Sequence, residues 1–175
     1  VIYEDPPIDQ WSGGVFNPAL RAKGRDWPAK AHTMIGFERL RNIRELMSHV
    51  IAERVPGDFV ETGVWRGGAC IYMRAVLKVF GIEDRRIWVA DSFAGLPKPD
   101  FERYPAQDQG DVHHTFKELS VSLETVQENF RKYDLLDEQV RFLKGWFKDT
   151  LPGAPIERIA VLRLDGDMYA STLDA

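Results

Sequence analysis

Two aspartates separated by a single glycine follow an apolar run in the stretch VLRLDGDMYAS. Asp165 and Asp167 come directly after residues 161–164. Along a strand, carboxylates two residues apart lie about 6–7 Å from each other, and they repel when both are ionised unless a cation or a proton lies beside them. The pair therefore predicts a site for a metal ion or for proton transfer. A plain Asp-Gly-Asp turn is the alternative.

The stretch ETGVWRGG places glycines next to an acidic residue after an earlier apolar run. Glu61, Thr62 and Gly63 follow that run, and Gly67 and Gly68 precede a helical pattern. Glycines let a backbone approach a ligand closely, and a helix N-terminus offers unpaired N–H groups. The spacing differs from the G-x-G-x-x-G pattern of dinucleotide sites. It indicates either a different kind of cofactor loop or a tight turn without a ligand.

Two further apolar runs end in polar and aromatic side chains. Asp91, Ser92 and Phe93 follow one run, and Gly145 and Trp146 follow the other. A carboxylate at such a place accepts hydrogen bonds from both hydroxyls of a ribose, and an aromatic ring stacks on a purine. The five residues are therefore candidates for cofactor binding. Alternatively, Asp91 only caps a turn, and Trp146 only covers the edge of the sheet.

These motifs need a scaffold that brings them together, and the hydrophobic pattern predicts one. Apolar runs predict strands at 58–64, 85–93, 139–147 and 158–167, and three- or four-residue spacings predict helices at 33–55, 67–81, 122–133 and after 167. Alternating helices and strands, with strands apolar on both faces, are typical of a parallel sheet with helices on both faces. We therefore expect an α/β, Rossmann-like domain over 33–175, with the motifs at the carboxyl ends of its strands.

Two segments fall outside this alternation. The first, 1–32, carries four prolines and three glycines in its first 30 residues, and its Trp11, Phe16 and Trp27 need a surface to pack on. It is expected to form an irregular lid. The second, 94–119, is polar and is expected to be a surface excursion whose histidines, His113 and His114, are exposed. None of the four histidines has metal-ligand spacing.

Composition narrows the class of protein. The chain has 175 residues, 44% of them hydrophobic, with 27 acidic and 23 basic residues and a net charge of −4. The mixed charges argue against a nucleic-acid or anionic-lipid partner and favour a small molecule or another protein. A single cysteine, Cys70, excludes an internal disulfide and fits a reducing compartment. No apolar run approaches the roughly 20 residues that span a bilayer, so we expect a cytoplasmic protein.

Several stretches together resemble the TylF/macrocin O-methyltransferase family. They are DWPAKAHTMIG, ETGVWRGGA, WVADSFAGLP, SVSLETVQENFRKYDLLDEQVRFLKGWFKDTLP and IAVLRLDGDMYAST, and the match runs over nearly the whole chain. The resemblance implies a class I methyltransferase sheet and two cofactors, S-adenosylmethionine and Mg²⁺. It also implies methylation of a sugar hydroxyl on a glycosylated antibiotic, and it is compatible with a homo-oligomer.

The resemblance also implies a role for each candidate residue. Glu61, Thr62 and Gly63 would line the methionine part of the cofactor, Asp91 would bind the ribose, Ser92 and Phe93 would lie near the adenine, and Thr33 and Met34 would close over the cofactor from the lid side. Asp165 would lie beside the cofactor and bind Mg²⁺. Asp167 would be the general base that takes the proton from the sugar hydroxyl.

Members of the family continue after YAST with further strands and an Asp-Asp pair that completes the metal site. The sequence is therefore expected to be a fragment whose sheet is truncated after its fourth strand and exposes an apolar edge. Two alternatives remain. One is a nucleotide-binding module without catalysis, and the other is an NAD-dependent oxidoreductase, which lacks support from the glycine pattern.

Overall fold

A four-stranded parallel sheet forms the centre of the computed structural model. The structure describes residues 5–8, 13–104, 106–107 and 109–175. The strands are β1 (Asp58–Thr62), β2 (Ile87–Asp91), β3 (Val140–Lys144) and β4 (Ile159–Leu164), in the spatial order β3-β2-β1-β4. This confirms the predicted α/β fold with a parallel sheet.

Six helices connect or flank these strands in the described part of the chain. They are α1 (Pro18–Ala22), α2 (Gly36–Ala52), α3 (Gly68–Phe80), α4 (Leu123–Arg131), α5 (Phe147–Thr150) and α6 (Tyr169–Asp174), with 3₁₀ turns at His113–Thr115 and Lys117–Leu119. Local interactions determine where several of these helices begin or end. Ser122 caps α4 by accepting the Thr125 N–H, and Gly81 ends α3 in a left-handed conformation. None of the described helices is long and apolar enough to cross a membrane.

All four predicted strands exist, but each ends earlier than predicted. The predicted ends at 64, 93, 147 and 167 move to 62, 91, 144 and 164. A positive φ comes directly after β1, at Gly63, and after β3, at Gly145, and within three residues of the ends of β2 and β4, at Phe93 and Asp167. A left-handed residue breaks the extended backbone. The polar residues that follow the strands therefore lie in turns and not in the sheet, and this includes both Asp165 and Asp167.

The core lies between the sheet and helices α2, α3 and α4. Its fully buried members include Met47, Phe59, Leu77, Val89 and Phe130. In contrast, the outer strand β4 leaves three apolar side chains 44–46% exposed, those of Ile159, Leu162 and Leu164. The expectation of an exposed apolar edge therefore agrees with β4.

The strand order reverses between β1 and β4. The chain passes from β1 to β2 and β3 on one side, and then crosses to place β4 on the other side of β1. In an open α/β sheet, such a reversal leaves a crevice at the carboxyl ends of the two strands, where ligands bind. Here the Asp165 N–H donates to Thr62 O at 2.8 Å and closes the floor of the crevice.

The N-terminal segment is more ordered than an irregular lid. It contains α1, and the buried Arg21 pairs with the buried Asp26 at 2.8 Å. The Asp5 carboxylate accepts the N–H groups of Lys30 and Ala31, which ties the described start of the chain to the end of this segment. The predicted packing of Trp11 lies outside the described residues.

We expect Gly63→Ala to destabilise the fold. Gly63 has φ +83°, and a Cβ there would lie 2.1 Å from the carbonyl oxygen of Asp165. Both strain and collision oppose the side chain, so the free energy of unfolding in urea should fall by about 2 kcal/mol or more. Gly153→Ala is the control, because a Cβ at Gly153 meets nothing within 4 Å. Equal stability of the two variants would contradict this account.

Candidate active site

A cleft of about 620 Å³ opens at the carboxyl ends of the strands. Ten of the twelve predicted site residues line it: Thr33, Met34, Glu61, Gly63, Asp91, Ser92, Gly145, Trp146, Asp165 and Asp167. The other two, Thr62 and Phe93, are buried beneath it. The Phe93 ring packs against Phe142 in the core, with ring centroids 6.3 Å apart. Contact of Thr62 and Phe93 with a cofactor stays a prediction.

The glycines that open α3 serve packing between chain segments. The Gly68 N–H donates to His32 O at 2.8 Å, and a Cβ on Gly68 would lie 2.3 Å from the same oxygen. The start of α3 is thus occupied by the segment that leads to Thr33 and Met34. Arg66 strengthens the junction by donating to the carbonyl oxygens of Pro28 and Ala31 at 2.9 Å. The expectation that Gly68 offers its N–H to a ligand is wrong.

Asp91 combines the two roles that the sequence left open. Its Oδ2 accepts the Val64 N–H and its Oδ1 accepts the Phe93 N–H, each at 2.8 Å. Burial raises the pKa of Asp91, and these backbone hydrogen bonds oppose the rise. Each carboxylate oxygen can accept a second hydrogen bond. The Trp65 N–H also donates to this carboxylate, and Ser92 Oγ lies 3.4 Å from its Oδ1. Asp91 therefore fixes the turns after β1 and β2 and keeps acceptor capacity for one ribose hydroxyl from the cleft.

Aromatic and polar groups surround the Asp91 end of the cleft. Ser92 Oγ donates to Gly95 O at 2.7 Å and accepts the Ala94 N–H at 3.0 Å, which holds the loop after β2. Trp146, which begins α5, remains 39% exposed and lines the cleft. Because the ring is exposed on the cleft wall, we favour the interpretation in which it stacks on a ligand over the one in which it covers the sheet edge.

Arg163 connects two carboxylates, and the sequence pattern did not identify it as a site residue. Its Nη1 donates to Glu61 Oε1 and, at 2.7 Å, to Asp165 Oδ2. Glu61 is buried, and its Oε2 accepts a hydrogen bond from Cys70 Sγ at 2.8 Å. Burial raises the pKa of Glu61 to about 6, and the Arg163 charge limits the rise. An arginine inside the apolar run of β4 was the available signal.

Asp167 follows β4, and β1 separates that strand from β2, which ends at Asp91. The Asp167 backbone is left-handed, with φ 57°, a conformation that aspartate and asparagine tolerate. The enclosing protein atoms and the charge of Asp165 raise the pKa of Asp167, while the charges of His113 and Arg163 oppose this. Gly166 keeps the two aspartates close to α6, since a Cβ there would lie 3.1 Å from the Ser171 Cβ.

The described residues do not form a complete metal site. No group of three His, Cys, Asp or Glu side chains among them could hold a metal ion. One carboxylate oxygen of Asp165 is paired with Arg163. The positive guanidinium would repel a metal cation bound to that oxygen. Asp165 is 44% exposed on the cleft wall and can offer one carboxylate, which is fewer ligands than a Mg²⁺ site takes from a protein and its substrate together.

Comparison with known proteins identifies the family. The model of the macrocin O-methyltransferase (TylF) family matches residues 2–175. The chain belongs to this family. It is 54% identical over 176 residues to the demethyldecarbamoylnovobiocin O-methyltransferase of Streptomyces niveus, covering 99% of this chain and 67% of that protein. The predicted TylF resemblance is thereby confirmed.

Other TylF relatives and solved structures agree. The mycinamicin III 3''-O-methyltransferase of Micromonospora griseorubida is 53% identical over 161 residues, covering 91% of this chain and 63% of the relative. The structure of the O-methyltransferase NovP superposes with a TM-score of 0.92 at 55% identity, covering 99% of this chain and 70% of NovP. The chain thus spans about two thirds of the length of its curated relatives.

A more distantly related structure is similar to this chain in its fold alone. The calicheamicin methyltransferase CalS11 superposes with a TM-score of 0.54 at 20% identity, covering 78% of this chain and 56% of that chain. The TylF fold therefore occurs at low sequence identity in a second methyltransferase.

We expect Arg163→Met to destabilise the protein in a pH-dependent way. The variant leaves Glu61 buried without its cation, a loss of about 3 kcal/mol when Glu61 is ionised. A raised carboxyl pKa gives stability that is present below the ordinary value and lost as pH rises through the folded value. Without Arg163 the Glu61 pKa rises further, so the deficit should be larger at about pH 8 than at about pH 5.

Urea unfolding at the two pH values measures the difference between variant and native protein. Arg158→Met is the control, since Arg158 is exposed near the start of the same strand. A deficit that is equal at both pH values would show that the ionisation of Glu61 is not what Arg163 stabilises.

Proposed function

We propose that this chain carries the cofactor site and the general base of an S-adenosylmethionine-dependent O-methyltransferase that methylates a sugar hydroxyl on a glycosylated natural product. One observation carries the proposal: a single cleft is lined by an anchored carboxylate at the end of β2, on Asp91, and by a carboxylate of raised pKa after β4, on Asp167. We assign the cofactor domain to 33–175 and the lid to 1–32. Cytoplasmic location and self-association stay predictions.

The relatives support the acceptor class. One acts on demethyldecarbamoylnovobiocin and another on mycinamicin III, by their names. A third, from Streptomyces olivaceus, is named for the 4'-position of a tetracenomycin that carries a dimethoxy-rhamnosyl group, and it is 53% identical over 176 residues. All three are O-methyltransferases of natural products, and the third name specifies a sugar.

The cleft residues fit S-adenosylmethionine. Asp91 has acceptor capacity for a ribose hydroxyl, and Trp146 offers a ring for the adenine. The buried Glu61 and the half-buried Arg163 are assigned to the methionine part of the cofactor. When bound, this cofactor supplies an electrophilic methyl group on a sulfonium sulfur. The residues hold the cofactor so that the acceptor oxygen, the methyl carbon and the sulfur can align.

Asp167 supplies the proton acceptor. A sugar hydroxyl is a poor nucleophile at neutral pH, so its proton must leave as the new C–O bond forms. The carboxylate of Asp167 takes this proton while the bond between methyl and sulfur breaks and its electron pair stays on sulfur. The raised pKa makes Asp167 a stronger base than an aspartate of ordinary pKa, while its exposure to the cleft keeps the carboxylate accessible to an acceptor.

Magnesium is a separate proposal and enters no step above. The resemblance to the family and the exposed carboxylate of Asp165 support it, whereas the pairing of Asp165 with Arg163 opposes it. We propose Asp165 as one ligand, with the others to come from the acceptor, water or residues not described.

An acceptor panel tests the function. Demethyldecarbamoylnovobiocin and mycinamicin III are incubated with the protein and S-adenosylmethionine, and mass spectrometry detects added methyl groups. We expect methylation of at least one acceptor, its loss in chelator and its return with Mg²⁺. Activity that persists in chelator would overturn the magnesium proposal alone. Calorimetric binding of NAD without binding of S-adenosylmethionine would overturn the function.

We expect Asp167→Asn to abolish turnover and to leave cofactor affinity within about twofold of the native value. Asparagine keeps the shape and tolerates the left-handed backbone at this position, but it cannot take a proton. Loss of a general base typically costs 10²–10⁴-fold, so a fall of about 100-fold or more in kcat is expected. Asp149→Asn, on the exposed side of α5, is the control. Native turnover in Asp167→Asn would remove this residue from the chemistry.

A further inference from the structure

The first turn of α2 contributes a positive charge to the cleft. Arg39, in this turn, lines the cleft together with Thr33 and Met34, which precede the helix, and with Glu61 and Gly63 at the end of β1. The same helix contacts β4. Arg39 therefore belongs to the part of the cleft that the ends of β1 and β4 form, although the sequence pattern did not identify it as a site residue.

The lid holds this turn in place. Gly36 begins α2 and lies so near Gly24 of the lid that a Cβ on Gly36 would be 2.3 Å from the Gly24 nitrogen. A Cβ on Gly24 would in turn lie 2.4 Å from the carbonyl oxygen of the buried Ile35. Arg39 Nη1 donates to that same oxygen at 3.2 Å. The guanidinium therefore folds back over a turn whose position the lid fixes.

Arg39 is the arginine of the cleft that has no acidic partner in the described part of the chain. Its hydrogen bond to Ile35 O leaves most of its N–H donors available, and its side chain is exposed. The other arginines that line the cleft are engaged, since Arg163 lies between two carboxylates and Arg103 pairs with Asp174. The cleft thus presents one guanidinium with the capacity to bind an anion.

The proposed cofactor has an anionic group to which no residue has been assigned. The methionine part of S-adenosylmethionine carries a carboxylate, whereas the residues assigned to the cofactor include the acidic Glu61, Asp91 and Asp165, which repel a carboxylate when ionised. An arginine binds a carboxylate well, because its planar N–H groups match the two oxygens. Thr33, Met34 and Glu61 are assigned to the cofactor and line the cleft with Arg39.

Two lysines also line the cleft but belong to a different part of it. Lys98 is in the segment that follows β2, and Lys148 is in α5, which follows β3. Both strands lie on the other side of β1 from β4. The residues assigned to the ribose and the adenine follow these same two strands. Arg39 is therefore the better candidate for the methionine part.

We propose that the guanidinium of Arg39 binds the carboxylate of the methionine part of S-adenosylmethionine. The inference rests on the proposed function and deepens it, because it assigns a charged group of the cofactor that the strand-end residues leave without a partner. Through the contact between Gly24 and Gly36, the same interaction links the bound cofactor to the lid.

Calorimetry with two ligands that differ in this carboxylate tests the inference. The native protein should bind S-adenosylmethionine about tenfold more tightly than decarboxylated S-adenosylmethionine. Arg39→Gln should bind S-adenosylmethionine about tenfold more weakly than the native protein does, and should bind the decarboxylated form within about twofold of the native value. Arg41→Gln is the control, because Arg41 is exposed on the same helix and does not line the cleft.

The outcomes separate this inference from the function on which it rests. Equal weakening of both ligands in Arg39→Gln would overturn the inference alone, because it would show that Arg39 acts through the fold and not on the carboxylate. Native affinity for S-adenosylmethionine in Arg39→Gln would also overturn the inference alone. A native protein that binds neither ligand would overturn the proposed function and this inference with it.

Discussion

The close contact between the ends of β1 and β4 is the constraint on which the site depends. Thr62 accepts the Asp165 N–H, and Gly63 lies so near the Asp165 carbonyl that no side chain fits between them. The contact joins the first and last strands of the described sheet at the point where strand order reverses. As a result, the turn after β1, with the proposed cofactor residues, and the turn after β4, with the two aspartates, share one floor.

Arg163 gives this junction its electrostatic balance. Without a cation, Glu61 beneath the cleft and Asp165 on its wall would repel each other in a poorly solvated place. The guanidinium contacts both and holds their geometry. The same arrangement explains why a metal ligand is difficult to assign here, since the oxygen that faces Arg163 is already engaged by a positive group.

Much of the fold and the cofactor end could be predicted from the sequence, because their signals are local. The order of apolar runs predicted the sheet, and the residues just after each run, such as Asp91 and Asp167, do lie in the cleft. Thr62 is the last residue of β1, where successive side chains point to opposite faces, and Phe93 has a left-handed backbone. Both side chains are buried, which a pattern of residue types does not specify. The Arg163–Glu61 pair and the His32–Gly68 contact join residues distant in the chain, and no local spacing predicts such pairs.

None of the described residues at 94–119 is buried, although several of them line the cleft. Substitutions in an unburied loop usually change the free energy of folding little. The side of the cleft formed by the strand ends, by contrast, is built from buried residues and glycine contacts that tolerate few changes. Over evolutionary time, therefore, the loop side of the cleft can change in sequence while the strand-end side is preserved.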